Sequence, residues 1–190
     1  MFRKVTLSIV VGAGALLAAL HAGAPRAQAD PPDHVTFVVD VAVNHATFAI
    51  IPSNGLVLQP EALGPNRGTT FIVDGKVFPG GTLQKGSGMG DPNQGGSIGD
   101  WSCKGFFTSD LGTADIGFDT TQRFEFGGDD QIWTEGLEAG LGKMGVVTHR
   151  TILGGTGRFR GARGEVTQEA LGTNIGGTPN IRLTFNIRKH

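Results

Sequence analysis

Residues 154–165 read GGTGRFRGARGE. Glycines of this kind could let a backbone approach a phosphate, but Gly155, Gly157 and Gly161 follow the pattern G-x-G-x-x-x-G, one residue longer than the dinucleotide fingerprint. The flanking residues are typical of strands, whereas the fingerprint joins a strand to a helix. We therefore predict a turn between two strands, in which glycines take left-handed conformations and Phe159 plugs the end of a barrel. The turn motif comprises Gly154, Gly155, Gly157, Phe159, Gly161 and Gly164.

Segments rich in Val, Ile, Thr and Phe, separated by Gly, Pro, Asn and Asp, lie on both sides of this turn and indicate an all-β chain. Val35, Phe37 and Val39 begin an alternation that gives residues 35–43 one apolar face. Short turns favour antiparallel neighbours, and closure of the sheet removes its edges. We predict a closed antiparallel eight-stranded barrel, although periodicity alone does not separate it from a sandwich. The predicted strand segments, from which about eight strands emerge, are 35–43, 69–73, 76–78, 98–108, 114–126, 131–138, 144–153, 162–170 and 180–188.

Two connections are predicted from glycine content. Asp74-Gly75 is typical of the type I′ turn of a two-residue hairpin. Residues 80–99 are rich in glycine and poor in apolar side chains, which predicts a long mobile loop. That loop is interpreted either as a linker or as a flap over the mouth of the barrel.

The first 29 residues have the features of a signal peptide. Arg3 and Lys4 precede the apolar residues 5–20, and Ala27-Gln28-Ala29 forms a small-x-small cleavage site. We predict cleavage after Ala29, secretion of a single domain of residues 30–190, and no stable membrane insertion after cleavage. An uncleaved N-terminal anchor is the alternative.

Charge and cysteine content exclude several classes of protein. The signal peptide removes three basic residues and no acidic one, so 13 basic residues remain against 17 acidic, a formal charge of −4. We expect no nucleic-acid partner. Cys103 is the only cysteine, so no intramolecular disulfide can form, and the histidines lack zinc-site spacing. We expect no metal and no cofactor.

The turn motif also carries a family resemblance. Residues 154–164 resemble the sequence G-G-T-G-x-F-x-x-A-x-G of dirigent proteins and, more loosely, of allene oxide cyclases, where it joins two late strands of a barrel. Residues 132–136 and 146–152 resemble the strands that lead into that turn. The chain is therefore similar to a secreted, bacterial-type member of the allene oxide cyclase/dirigent-like superfamily.

This resemblance implies an apolar cavity in an eight-stranded barrel, usually a homotrimer, that handles a small apolar molecule without a cofactor. Allene oxide cyclases close an oxylipin epoxide into a ring, and dirigent proteins orient phenoxy radicals, so positioning of the substrate is the main contribution. Both families use tyrosines in their pockets, whereas this chain has none. Their specific reactions are therefore in doubt here.

Six residues are candidates for a site. Dirigent proteins have an acid on their first strand, and Asp40 resembles it; on an outward face it would instead be solvated. Trp133 and Glu135 share one face of their strand, and Thr148 and Arg150 share a face of the next, so they line the cavity together or form an outer cross-strand pair. We predict Asp40, Glu135 and Arg150 as catalytic residues. We predict Trp101, Trp133 and Asn44 as ligand-binding residues.

Three functions remain open at this stage. The preferred one is a secreted barrel that binds a small apolar molecule and steers its cyclisation or stereoselective coupling. The second is a non-catalytic carrier of a lipid or other small molecule, which the missing tyrosines favour. The third is a partner-binding protein whose barrel is filled by large side chains.

Overall fold

The computed structural model describes residues 34–51, 67–109, 117–139 and 143–188. The predicted signal peptide lies outside these residues. The strands, numbered in chain order, are β1 His34–Val43, β2 Ala49–Ile51, β3 Thr70–Pro79, β4 Gly99–Phe107, β5 Gly117–Glu125, β6 Gln131–Ala139, β7 Val147–Gly155, β8 Arg163–Thr173 and β9 Pro179–Arg188.

The sheet closes into an antiparallel eight-stranded barrel, as the sequence predicted. Neighbours run in the order β1-β9-β8-β7-β6-β5-β4-β3, and β1 pairs with β3 to close the ring. The three-residue β2, which the sequence pattern did not predict, pairs with β3 at Thr70–Ile72 beyond the end of β1. A 3-10 turn at His45–Thr47 separates β1 from β2, so the two together form one interrupted side of the barrel.

Alternation places the apolar face of β1 inside the barrel. Val39, Val41 and Val43 join a core cluster to which every long strand contributes. An aromatic plug closes the end that contains the β5–β6 and β7–β8 turns. It consists of Phe37, Phe126, Phe159 and Phe185, whose ring centroids lie 4.7–6.1 Å apart in the contacting pairs.

The turn motif lies between β7 and β8. Gly157 has φ +55° and Gly161 φ +76°, conformations that favour glycine. A Cβ on Gly157 would lie 2.2 Å from Asp130 Oδ1, and the Arg158 amide donates to that same oxygen at 2.8 Å. The motif therefore packs the β7–β8 turn against the β5–β6 turn.

The predicted Asp74-Gly75 hairpin is wrong. Both residues lie in the middle of β3, where Gly75 pairs with Val43 and with Trp101. Gly75 is not among the glycines with positive φ; a Cβ there would lie 2.6 Å from the Ala42 carbonyl oxygen and 3.1 Å from Trp101 Cε3. The glycine therefore serves close packing inside a strand, which the dipeptide alone does not distinguish from a turn.

The predicted mobile loop is an ordered strap, defined here as residues 80–98. Its backbone bonds to β8 through Gly86 N to Leu171 O at 2.9 Å and Thr173 N to Gly86 O at 3.1 Å. Leu83 packs on the outer wall with Ala42, Phe78 and Leu171. Backbone hydrogen bonds to β8 compensate for the few apolar side chains, and the strap crosses the outer wall.

Candidate functional site

The inner wall of the barrel carries a buried polar cluster on strands β5 to β8. All its members are at most 3% exposed. They lie on the inner face because they alternate with outward residues and pair across neighbouring strands, as Gln122 does with Thr134. We call the following residues the interior polar cluster: Thr120, Gln122, Thr134, Glu138, Arg150 and Gln168.

A buried ion pair between Glu138 and Arg150 forms the centre of this cluster. Arg150 Nη1 donates to Glu138 Oε1 at 2.5 Å and to Thr120 Oγ1 at 2.8 Å. Arg150 Nε donates to Thr134 Oγ1 at 3.0 Å, and Nη2 donates to the carbonyls of Thr120 and Thr134 at 2.8 and 3.5 Å. These contacts use all five N–H groups of the guanidinium.

Two glutamines complete the contacts of the carboxylate. Gln122 Nε2 donates to Glu138 Oε1 at 2.8 Å and to Gln168 Oε1 at 2.9 Å. Gln168 Nε2 donates to Glu138 Oε2 at 3.1 Å. Glu138 Oε1 therefore accepts three hydrogen bonds, counting the Thr120 hydroxyl at 2.5 Å, and Oε2 accepts one.

Burial shifts the pKa values of two side chains in the interior, Arg150 and Cys103. It lowers the pKa of Arg150 from its ordinary value, against the opposing effect of the Glu138 charge. It raises the pKa of the Cys103 thiol, an effect that the Glu138 charge strengthens. Cys103 therefore stays a thiol at neutral pH, and the interior charges are those of Glu138 and Arg150.

An aromatic wall adjoins the interior polar cluster. We define it as Phe48, Phe71, Phe107 and Phe118, with centroid distances of 4.9–5.7 Å in the contacting pairs. Phe118 lies two residues before Thr120 on β5, so the aromatic and polar surfaces meet on that strand. Phe48 and Phe118 are only partly buried. The interior thus presents an apolar side and a hydrogen-bonding side.

Of the three predicted catalytic residues, only Arg150 lies inside the barrel. Glu135 and Trp133 lie on the outer wall, where Glu135 is exposed and Trp133 is half-buried. The prediction that these two line a cavity with Arg150 is therefore wrong. In β6 the inward residues are Ile132, Thr134, Gly136 and Glu138, because Thr134 pairs with the inward Gln122.

Asp40 lies on the outer wall, not in the lumen, yet it is fully buried beneath the strap. Arg182 donates to its carboxylate from Nε at 2.7 Å and Nη2 at 3.0 Å, and the Leu83 amide donates at 2.8 Å. The hydrogen bond to Asp40 raises the pKa of Arg182. Both expectations for Asp40 are therefore corrected: it is neither a cavity acid nor a solvated residue, and it anchors the strap.

Asn44 and Trp101 come together at a polar groove of about 350 Å³. Asn44 caps the 3-10 turn by accepting from the Ala46 amide at 3.0 Å. The Trp101 side chain is 4% exposed and belongs to the core cluster. The groove is lined mainly by outer-wall residues, including Asp74, Asp100 and Arg123.

Sequence reasoning missed five members of the interior polar cluster and named only Arg150. A signal was present in β5, where Asp119, Thr121 and Arg123 alternate with Thr120, Gln122 and Phe124. The charged face marks the outside, so the uncharged face points inward, and strand pairing then gives the inward face of β6. Trp133 instead suggested the opposite face, because it is the largest apolar residue of that strand.

Comparison with solved structures identifies the fold. Two pterocarpan synthase dirigent proteins are similar: one is 20% identical, with a TM-score of 0.51 over 82% of this chain and 90% of that one, and the other is 15% identical, with a TM-score of 0.52 over 85% and 97%. This chain has the dirigent-like barrel fold. The resemblance drawn from residues 154–164 is thus confirmed at the level of fold.

A third similar structure is that of a nonspecific heme-binding cyclase that catalyses a [4 + 2] cycloaddition during neoabyssomicin biosynthesis. It is 18% identical, with a TM-score of 0.53 over 85% of this chain and 69% of that protein. No family model and no curated protein matches the chain. No helix among the described residues is long and apolar enough to cross a membrane.

Proposed function

We propose that this dirigent-like barrel binds a small, largely apolar organic molecule in its interior and fixes its conformation for a cyclisation or a stereoselective coupling. The observation that carries the proposal is the two-sided interior, in which the aromatic wall meets the interior polar cluster on β5. An apolar surface with a few convergent polar groups is the usual form of a small-molecule site.

The buried ion pair supports a role beyond stability. A buried pair of charges often stabilises a fold no better than well-packed apolar residues of similar volume, because desolvation offsets the attraction. Glu138 and Arg150 are held by hydrogen bonds from three neighbouring strands, so their charges are preorganised. Fixed charges in a water-poor interior interact strongly with charge that develops in a reacting molecule.

The positions of these groups favour conformational control over proton transfer. All five N–H groups of Arg150 donate to acceptors within the protein. Arg150 therefore acts on a bound molecule through the electric field of its charge and has no N–H group free to donate. The aromatic wall would hold the apolar part of the substrate against one side of the barrel. The catalytic contribution is then the entropy of orientation.

The same saturation of Arg150 favours a second candidate function, that of a non-catalytic carrier. A guanidinium whose donors are all occupied has none left for a reacting molecule, and a site that only holds its ligand needs none. On this alternative the interior binds a small molecule, releases it unchanged, and shows no stereochemical effect.

Turnover of the mature domain separates the two functions. Oxylipin epoxides and phenoxy-radical precursors are incubated with the protein, and the products are resolved on a chiral column. The catalytic form predicts an enantiomeric excess that Glu138→Gln abolishes and Glu135→Gln, an outer-wall substitution on the same strand, preserves. Racemic product with every substrate, together with retained ligand binding, leaves the carrier.

We also propose that the chain is exported after cleavage behind Ala29 and forms a homo-oligomer, a trimer by family resemblance. Ile72, Phe106 and Leu137 are 44%, 44% and 64% exposed on the outer wall, which supports contact between copies. The intact mass of protein recovered outside the cell should match that of a chain that begins at Asp30. Light scattering should give three times the monomer mass, and a monomer would contradict the trimer.

A further inference from the structure

One acceptor in the interior polar cluster has no partner. Gln122 is fully buried, and its Oε1 receives no hydrogen bond from the described residues. A buried carbonyl without a hydrogen bond is costly, so a native interior normally supplies a donor.

The orientation of the Gln122 amide is fixed by its neighbours. Nε2 lies between two acceptors, Glu138 Oε1 at 2.8 Å and Gln168 Oε1 at 2.9 Å. Rotation of the amide by 180° would place a carbonyl oxygen against both of them. The amide therefore keeps Nε2 toward the carboxylate, and Oε1 is left without a donor among the described residues.

An unpartnered donor lies near this acceptor. Trp101 pairs with Phe124, and Cys103 pairs with Gln122, so Trp101 and Gln122 are diagonal neighbours on the inner face of β4 and β5. Trp101 Nε1 is buried and makes no hydrogen bond within the described residues. A hydroxyl group both donates and accepts, so one such group can satisfy Gln122 and Trp101 together.

The charges of the interior disfavour an anionic ligand. Glu138 and Arg150 are the charged side chains among the described residues of the inner wall, and the donors of Arg150 are all used within the protein. A carboxylate would lose its hydration and find no free cation there.

We propose that the molecule bound inside the barrel is neutral and carries a free hydroxyl group, which donates to Gln122 Oε1 and can accept from Trp101 Nε1. This inference rests on the proposed function, since it requires an interior ligand. It assigns Gln122 as the residue that determines specificity. The apolar remainder of the ligand packs on the aromatic wall.

The test uses three matched, non-fluorescent probes: 4-tert-butylcyclohexanol, its methyl ether and 4-tert-butylcyclohexanecarboxylate. The chain has two tryptophans and no tyrosine, so Trp133→Phe leaves Trp101, a core residue that also lines the outer groove, as the emission reporter. Titration of Trp101 emission should show the alcohol binding at least about tenfold more tightly than the ether, because only the alcohol donates to Gln122. The carboxylate should bind most weakly.

Substitutions in the same background locate the preference. Gln122→Met should reduce the alcohol-to-ether ratio to less than about twofold. Gln168→Met, which alters the same cluster but leaves the unpartnered oxygen in place, should retain it. The comparison of probes on the chain that keeps Gln122 does not depend on the folding of the variants.

Each other outcome has a defined meaning. Equal binding of alcohol and ether, as expected if an ordered water satisfies Gln122, overturns the inference and leaves the proposed function standing. Tightest binding by the carboxylate overturns it as well. Failure of all three probes to change Trp101 emission would count against the interior site itself, and so against both proposals.

Discussion

Removing one charge from the interior ion pair should destabilise the barrel more than removing both. The Glu138 side chain is 4% exposed and that of Arg150 is 0% exposed, so Arg150→Met leaves a carboxylate buried without its counter-ion. Breaking a buried pair in this way costs about 3–5 kcal/mol, whereas replacing both partners by apolar residues is often near neutral.

The hydrogen bonds set the size of the effect. Arg150→Met removes the guanidinium that binds Glu138 and Thr134, and the three bonds from Thr120, Gln122 and Gln168 remain on the carboxylate. Glu138→Leu leaves the guanidinium with four uncharged acceptors, namely the hydroxyls and the carbonyls of Thr120 and Thr134. We expect each single substitution to cost about 3–5 kcal/mol and the double variant to cost less than either, which requires a coupling free energy of at least about 3 kcal/mol.

Urea unfolding of the four chains, followed by tryptophan emission, gives the coupling free energy. Glu135→Leu is the matched control, because it removes an exposed carboxylate from the outer face of the same strand and should change stability by no more than about 0.5 kcal/mol. Additivity of the two inner substitutions within about 0.5 kcal/mol would refute the buried pair.

Three further predictions concern the strap, β3 and the buried thiol. Asp40→Asn should cost about 1.5–3 kcal/mol and accelerate hydrogen exchange of the Leu83 amide, because a charge-assisted anchor is lost; unchanged exchange would contradict that anchor. Gly75→Ala should cost about 1–3 kcal/mol in chemical denaturation because its Cβ meets the Ala42 carbonyl, whereas Gly95→Ala, with open space around it, should be near neutral. Cys103 should resist a thiol reagent at pH 9 in the native state and react in urea. Burial raises the pKa of the Cys103 thiol in the folded state, so above about pH 8.5 this thiol ionises only in the unfolded chain. The free energy of unfolding should therefore fall with rising pH, by up to about 1.4 kcal/mol per pH unit. Cys103→Ala should remove that slope.

The strands and the turn motif could be predicted from local sequence because their causes are local. The alternation of β1 follows from burial of one face, and the glycines of the turn between β7 and β8 follow from their backbone conformation. Apart from β2, which was not predicted, and β3, which was predicted as two strands, the strand ends were predicted to within a few residues. In β8 the observed strand extends to Thr173, past a bulge between Ala170 and Gly172.

The errors share a different cause, namely contacts between residues distant in sequence. In the sequence Gly75 resembles a turn residue. Its close packing against Ala42 and Trp101, which requires a glycine within the strand, is visible only in the folded chain. The composition of the strap is typical of a mobile loop, and its backbone hydrogen bonds to β8 are visible only in the folded chain. Burial of the Asp40 carboxylate is accounted for by Arg182, which lies 142 residues away along the chain, and by the Leu83 amide of the strap.

The candidate site could be predicted only in part for the same reason. Arg150 was named because it shares a strand face with Thr148, but its partner Glu138 lies one residue before the end of a strand whose two faces are of similar polarity. Which face of β6 points inward is decided by pairing with β5, where Thr134 meets Gln122. The sequence of one β-strand alone does not determine which of its faces points into the barrel.

The central claim is that the ligand binds inside the barrel, between the aromatic wall and the interior polar cluster. Nuclear Overhauser contacts from the tert-butyl group of bound 4-tert-butylcyclohexanol test it most directly. The account predicts contacts to the rings of Phe71 and Phe107 together with a shift of the Gln122 side-chain amide. Contacts confined to the groove at Asp74, Asp100 and Arg123, with the Gln122 amide unmoved, would contradict it.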